Sequence, residues 1–151
     1  MGFVFTGLDE YSVDDRGRML LPPSYKPALT ETVVIGLGTS GQIWVYPKPT
    51  YQQYLEKLEA TPLEERNANF YEARRLILSG QEVEFDKQGR MSIPPLFRRV
   101  TGITNTIIVS GDGDRVELWQ PERYFERHGL LTNQPGKFDD NPVLVRTGFH
   151  L

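Results

Sequence analysis

The chain contains the same fourteen-residue segment twice, and this repeat constrains the fold more than any other feature. Residues 13–26 read VDDRGRMLLPPSYK, and residues 85–98 read FDKQGRMSIPPLFR. Six of the fourteen positions are identical at an offset of 72 and four more match in kind, whereas chance would give roughly one identity. The similarity continues, with a slip of one residue, from residues 43–46 to residues 116–119. We therefore expect two copies of one structural unit.

Each copy spans about 70 of the 151 residues, a size near the lower limit for an independent core. We expect the two halves to bury their apolar faces against each other in a single domain over residues 1–131. That domain would hold repeats at about 7–60 and 81–128, with a helical connection at 61–80. Residues 132–151 are interpreted as a C-terminal extension, a linker followed by a short apolar tail. The tail could be disordered or could add a strand to a neighbour.

Within each copy, apolar and polar side chains alternate, as is typical of half-buried β-strands. In the second copy Val83 and Phe85 alternate with acidic residues before a turn, and Met91 and Ile93 alternate with polar residues after it. The turn reads D-x-x-G, in which Asp accepts backbone N–H bonds and Gly supplies a positive φ. The pattern predicts a tight hairpin with Asp and the following Arg on one face at its mouth.

The Pro-Pro pair after each hairpin predicts a short helix, because the second Pro suits the first helical turn. We expect this helix over residues 96–100 in the second copy, ending near Gly102, and a shorter one in the first copy, where Pro27 interrupts it. Apolar spacing and capping patterns predict further helices at 50–60, at 61–79 and at 121–128. The predicted fold class is mainly β with flanking helices, α+β.

Two glycine-containing loops could suggest ligand sites. Residues 36–41 form a literal G-x-G-x-x-G, but the segment after it is strand-like rather than helical, so a hairpin turn is favoured over dinucleotide binding. Asp112-Gly113-Asp114 lacks the later Gly and Glu of a calcium loop and is interpreted as another turn. A nucleotide-binding enzyme that uses the first loop is the least favoured alternative.

Residue types exclude several classes of chemistry. The chain has no Cys, so disulfides, thiolate nucleophiles and the common structural zinc sites are excluded. Its two histidines, His128 and His150, are far apart, which argues against hydrolytic triads and three-His metal sites. We predict no enzymatic activity, cofactor or metal. No apolar run approaches the roughly 18 residues of a membrane span, and no signal peptide is recognised, so a cytoplasmic location without membrane contact is expected.

Positive charge is concentrated at the two repeated turns. The chain carries a net charge of −3, but segments 14–26 and 86–99 contain seven basic and three acidic residues, which is +4 and leaves −7 elsewhere. The planar guanidinium of Arg can grip a phosphate or the O6/N7 edge of guanine bidentately, and a paired Asp could fix its rotamer beforehand. Alternatively, Asp14–Arg18 and Asp86–Arg90 are only ion pairs worth at most about 1 kcal/mol each. Residue physics leaves both interpretations open.

The chain resembles the MraZ family of bacterial regulators over about residues 7–128. The resemblance rests on the D-x-x-x-R motifs at residues 14–18 and 86–90, on the I/L-P-P after each, and on Leu78-Ser79-Gly80. It implies kinship with the AbrB and MazE swapped-hairpin proteins and a double-split β-barrel built from two tandem swapped-hairpin-like repeats. It also implies a nucleoid-associated repressor that binds double-stranded DNA at short direct repeats in the promoter of the cell-division and cell-wall gene cluster. The implied assembly is a ring-shaped homo-oligomer, often of eight subunits.

The resemblance assigns roles to the turn residues. Arg18 and Arg90 would be the main DNA-facing groups and Asp14 and Asp86 their partners; the full set of implied DNA-binding and motif residues is Arg16, Arg18, Lys87, Arg90, Asp14, Gly17, Asp86 and Gly89. Arg16 and Lys87 would add phosphate contacts. The two turns differ at their central residues, so they should contribute unequally. The alternative function is an oligomeric interaction or scaffold protein whose basic turns bind a protein partner.

Overall fold

The computed structural model describes residues 2–30, 32–130 and 134–137. Its strands are β1 (Leu8–Ser12), β2 (Arg18–Leu20), β3 (Thr32–Leu37), β4 (Ile43–Pro47), β5 (Gln81–Glu84), β6 (Arg90–Ser92), β7 (Thr106–Asp112) and β8 (Arg115–Trp119). Its helices are α1 (Lys48–Ala60), α2 (Ala68–Ile77), α3 (Pro95–Thr101) and α4 (Pro121–Arg127), with short 3₁₀ turns at Pro23–Tyr25 and Leu63–Glu65.

The strands form two antiparallel sheets. Six strands make a large sheet in the order β1-β7-β8-β4-β3-β5, and β2 pairs with β6 in a separate two-stranded sheet. The predicted α+β class is confirmed. Because β1 and β5 lie at opposite edges of the large sheet, within the described residues that sheet is open rather than closed into a barrel.

Most strand pairings join one copy of the repeat to the other. Four of the six pairings do so: β1 with β7, β2 with β6, β3 with β5 and β4 with β8. Met19 lies opposite Met91, and Trp44 lies opposite Glu117, and the members of each pair occupy equivalent positions in the two copies. A pseudo-twofold axis therefore passes through both pairs.

One apolar core is shared by the two copies. Val33 and Val45 from the first copy pack in the same buried cluster as Ile107 and Leu118 from the second. Met19 and Met91 reach this cluster from the two-stranded sheet and are 2% and 0% exposed. The two-stranded sheet is thus fixed on one side by burial of its central residues.

The tight turn of each predicted hairpin is confirmed, but the strands on either side of it do not pair with each other. In the first copy the turn is closed by bonds from Asp14 N to Arg18 O (3.0 Å) and from Gly17 N to Asp14 O (2.9 Å). The strands then separate, since Val13 N already donates to Asn105 O at 2.9 Å and β1 continues along β7. Pairing in different sheets gives β1 a five-residue ladder along β7, and it lets β2 pair with β6 and bury Met19 in the core, where an isolated two-stranded hairpin would be only marginally stable.

The helices that follow the Pro-Pro pairs differ between copies as expected. In the second copy α3 has Pro95 at its first position and ends at Gly102, whose φ is +75°. The first copy has only the 3₁₀ turn, since Pro27 has no N–H with which to continue a helix.

The helix predicted over 61–79 is wrong at its start. Thr61 does not cap a helix, because its Oγ1 donates to Lys57 O at the end of α1. The chain makes the short 3₁₀ turn, and α2 begins only after Asn67, whose side chain accepts the Phe70 N–H at 3.0 Å. The Arg66 side chain donates to Thr61 O at 3.0 Å and holds this bend.

Both glycine-containing loops are hairpin turns. Residues 38–42 connect β3 to β4, which pair antiparallel, and Asp112 faces Arg115 across the turn between β7 and β8. In the described ranges, no three His, Asp or Glu side chains are grouped so that they could hold a metal. Nor does that part of the chain contain a helix with the length and apolarity of a membrane span. The predicted apolar tail at 143–149 lies outside the described residues.

Candidate nucleic-acid interface

The first turn, residues 14–18, is called tip 1 and is organised by one carboxylate. Asp14 Oδ1 accepts the backbone N–H groups of Arg16 (3.0 Å) and Arg18 (2.8 Å). Asp14 Oδ2 accepts the side-chain Nε–H of Arg18 at 2.7 Å. Gly17 has a φ of +80°, a conformation that costs glycine little. The Asp therefore fixes both the backbone of the turn and the rotamer of Arg18.

The second turn, residues 86–90 or tip 2, repeats this geometry. Asp86 Oδ1 accepts from Gln88 N (2.9 Å) and Arg90 N (2.8 Å), and Oδ2 accepts from Arg90 Nε at 2.7 Å. Gly89 has a φ of +78°. The two central residues differ between the tips, yet the bonds agree within about 0.1 Å, because they depend only on the shared Asp, Gly and Arg.

These bonds favour the ionised form of both carboxyls. The backbone N–H of Arg18 is the largest influence on Asp14 and lowers its pKa below the ordinary value of 3.8, with the Arg18 side chain acting in the same direction. The backbone N–H of Arg90 lowers the pKa of Asp86 in the same way. Both carboxyls are therefore ionised at neutral pH, as their ion pairs with Arg18 and Arg90 require.

The two arginines project from the same face of the two-stranded sheet. Arg18 lies opposite Ser92, and Leu20 lies opposite Arg90, while the methionines between them point into the core. Because side chains alternate along a strand, these four residues share the outer side, which we call the ribbon face. Arg18 and Arg90 are diagonal neighbours on it, with Cα atoms about 7–8 Å apart.

The ends of both guanidinium groups are free to bind a ligand. Each Arg uses Nε for its carboxylate, and among the described residues its Nη atoms donate to no protein acceptor. The side chains of Arg18 and Arg90 are 28% and 29% exposed. Each tip thus presents a fork of N–H donors on an Arg that its own carboxylate binds, and this fork matches two acceptors such as those of a phosphate or a guanine edge.

The remaining predicted site residues lie on the tips, with one difference between the copies. Arg16 and Lys87 are exposed within their turns. Gly17 is buried, whereas its equivalent Gly89 is exposed.

Sequence reasoning missed Leu20, Ser92 and Arg98. The strand alternation places Leu20 and Ser92 beside the arginines and could have identified them. Arg98 packs on tip 1, a contact that no sequence pattern predicts.

Comparison with known proteins places this repeat in a family. The model of the family described as "MraZ protein, putative antitoxin-like" matches residues 4–72 and 76–127, well over half of the chain. The chain belongs to the MraZ family. The two matched segments of this MraZ-family chain contain tip 1 and tip 2 respectively, so the family match includes every predicted site residue.

Curated relatives carry the name "Transcriptional regulator MraZ". One from Kineococcus radiotolerans is 36% identical over 117 residues, which is 77% of this chain and 80% of the relative. One from Herpetosiphon aurantiacus is 32% identical over 122 residues, 80% of this chain and 84% of the relative. One from a Nocardioides species is 30% identical over 139 residues, 92% of this chain and 96% of the relative.

Proposed function

We propose that this MraZ-family chain is a transcriptional regulator, a repressor that binds specific sequences in double-stranded DNA through the ribbon face. One observation carries the proposal: two arginines, each held by its own carboxylate, present their free Nη forks on the same exposed side of one two-stranded sheet. The name of its relatives, transcriptional regulator, supports the same role.

The dimensions of the ribbon face suit the major groove. That groove is about 12 Å wide and admits a two-stranded β-ribbon. Arg18 and Arg90, about 7–8 Å apart on the diagonal, would reach positions about two base pairs apart at a rise of 3.4 Å per base pair. Their forks match guanine O6/N7 or phosphate oxygens, and Arg16 and Lys87 would add phosphate contacts at the two ends of the ribbon.

The acidic net charge of the chain makes assembly part of the proposal. Tip 1 is neutral and tip 2 carries +1, so one subunit offers little long-range attraction to DNA. Several subunits in a ring would add their contacts through avidity. Head-to-tail neighbours present their tips with one polarity, which fits short direct repeats better than palindromes. Following the family resemblance, we further propose a ring-shaped homo-oligomer, with its fused swapped-hairpin units in a double-split arrangement, acting on the promoter of the division and cell-wall cluster at the nucleoid.

The test is binding of the purified chain to the DNA upstream of its own coding region. Arg18→Ala and Arg90→Ala should each weaken binding by about 1–3 kcal/mol, and the double variant should abolish the specific complex. Arg75→Ala is the matched control, because Arg75 pairs with Glu72 at 2.8 Å on the exposed side of α2, outside both tips. Oligomer size should be unchanged in all variants.

Two results would contradict the proposal. Binding of wild type should weaken steeply with salt through counterion release, and a flat salt dependence would favour the scaffold function instead. If removal of the arginines dissolves the oligomer, the Asp–Arg pairs are structural rather than DNA-binding.

A further inference from the structure

Arg98 covers tip 1, and among residues 2–30, 32–130 and 134–137 no side chain covers tip 2 in the same way. A Cβ atom built on Gly17 would lie 2.5 Å from Arg98 Nε and 2.8 Å from Cζ, so the guanidinium rests directly on the glycine. Arg98 Nε also donates to Ile93 O at 3.2 Å. Within the described part of the chain, the same Cβ built on Gly89 would meet a single atom, Leu20 Cδ2, at 4.0 Å.

A second bond strengthens tip 1 alone. Ile93 N donates to Gly17 O at 2.8 Å and extends the β2–β6 pairing to this turn. No corresponding backbone bond joins Leu21 to Gly89, both of which are described. Between them lies a cavity of about 230 Å³, bordered by Tyr25, Leu29 and Phe85. Gly17 of tip 1 is thus packed against Arg98, whereas Gly89 of tip 2 borders the cavity.

The difference originates in one pair of equivalent residues. Arg98 lies in α3, which holds its side chain over Gly17, whereas its equivalent Lys26 follows a three-residue 3₁₀ turn and precedes Pro27. Lysine lacks the planar group that stacks on a glycine, and its strongly hydrated ammonium favours solvent. Lys26 is exposed, and it lines the cavity together with Gly89 of tip 2.

We infer that Arg98 is a positioning residue that makes tip 1 the fixed, sequence-reading turn, while tip 2 is an adjustable turn held to DNA mainly by charge. The inference rests on the proposed function. Tip 1 has two acidic and two basic residues, so its contribution must come from geometry, and a turn ordered before binding loses less entropy on contact. Tip 2 has one acidic and two basic residues, which gives it attraction to any phosphate backbone.

The test compares specific with non-specific affinity. The probes are the fragment upstream of the chain's own coding region and a scrambled duplex of equal length and composition. Arg98→Met keeps the aliphatic stem and removes the guanidinium. It should weaken binding to the upstream fragment about three- to tenfold, and its affinity for the scrambled duplex should stay within about twofold of that of wild type. Lys26→Met, the matched control, should affect both duplexes equally.

Arg98→Lys separates positioning from charge. It keeps the positive charge and loses the planar group, so it should bind the upstream fragment about as weakly as Arg98→Met does. If Arg98→Lys binds like wild type, the inference is wrong. It is also wrong if Arg98→Met weakens both duplexes equally and lowers the salt dependence by about one ion, because Arg98 would then be a phosphate contact.

Hydrogen exchange on the free protein tests the cover without DNA. The Gly17 and Gly89 amides make equal bonds of 2.9 Å to their Asp carbonyls, so a difference in exchange reports the stability of each tip. We expect slower exchange at Gly17, lost in Arg98→Met; equal exchange in wild type would overturn the inference. If Arg98→Met fails to fold, Arg98→Lys, which also loses the planar group over Gly17, is measured instead. If Gly17 exchanges slowly but wild type binds no DNA, the proposed function is contradicted, while the stabilisation of tip 1 by Arg98 is still supported.

Discussion

Met19 and Met91 lie opposite each other at the centre of the two-stranded sheet and occupy the same position in the two copies. Both are buried, and both reach the shared core from beneath the ribbon face. The orientation of Arg18 and Arg90 relative to each other therefore depends on how these two thioethers pack.

Met19→Ala and Met91→Ala should each lower the free energy of unfolding by about 2–5 kcal/mol, since each leaves a cavity in a packed core. The double variant should lose less than the sum, because cross-strand neighbours share one cavity. Urea unfolding at a fixed protein concentration measures this. Leu20→Ala, on the exposed side of the same strand, is the control and should change stability by under about 1 kcal/mol. Additive losses would show that the two side chains are independent.

Gly17→Ala and Gly89→Ala should differ in stability although both glycines have nearly the same φ. Each pays about 1–2 kcal/mol for placing an L-residue in the left-handed region. Gly17→Ala must also move Arg98, so its free energy of unfolding should fall by at least about 1 kcal/mol more. Thermal or urea unfolding of the two variants side by side gives the difference, and equal losses would mean that Arg98 moves away freely.

Leu20 should contact a thymine methyl group. It is 52% exposed on the ribbon face, and its equivalent in the other copy is the polar Ser92. Apolar side chains in the major groove recognise the C5-methyl of thymine, which deoxyuridine lacks. Replacing the operator thymines singly by deoxyuridine should weaken wild type at one position per site, and Leu20→Ser should remove that sensitivity. Equal sensitivity in wild type and variant would place Leu20 away from the bases.

The hydrogen bonds that Asp14 and Asp86 accept within the two tips should persist from pH 8 to pH 5. Because the pKa of Asp14 and of Asp86 is lower in the folded chain than the ordinary 3.8, the folded state binds fewer protons. The stabilisation is therefore fully present above pH 3.8 and is lost as pH falls through the folded-state pKa. Carbon-13 NMR titration of the two carboxyls should give midpoints below 3.8. Midpoints at or above the ordinary value would mean that the tip bonds do not persist in solution.

Local chemistry was readable from the sequence, and long-range pairing was not. The D-x-x-x-R pattern predicts the turn and its ion pair because every group involved lies within five residues. The divergence of β1 from β2 depends on β7, about 95 residues further on, whose backbone ladder with β1 replaces the local hairpin. Alternation alone cannot identify that partner. The Thr61 pattern failed because its hydroxyl is used by the preceding helix. Arg98 was missed because its contact with Gly17 joins segments that only the fold brings together.

The crossing of strands between copies has a consequence for the connection at 61–80. The outer strands β1 and β5 each pair with a strand of the other copy, so the two halves relate to each other as the subunits of an interlocked dimer. The connecting segment acts as a tether that raises the effective concentration of one half near the other. Two fragments separated within residues 62–66 would accordingly reassemble on mixing into one complementary pair, with each fragment completing the sheet of the other.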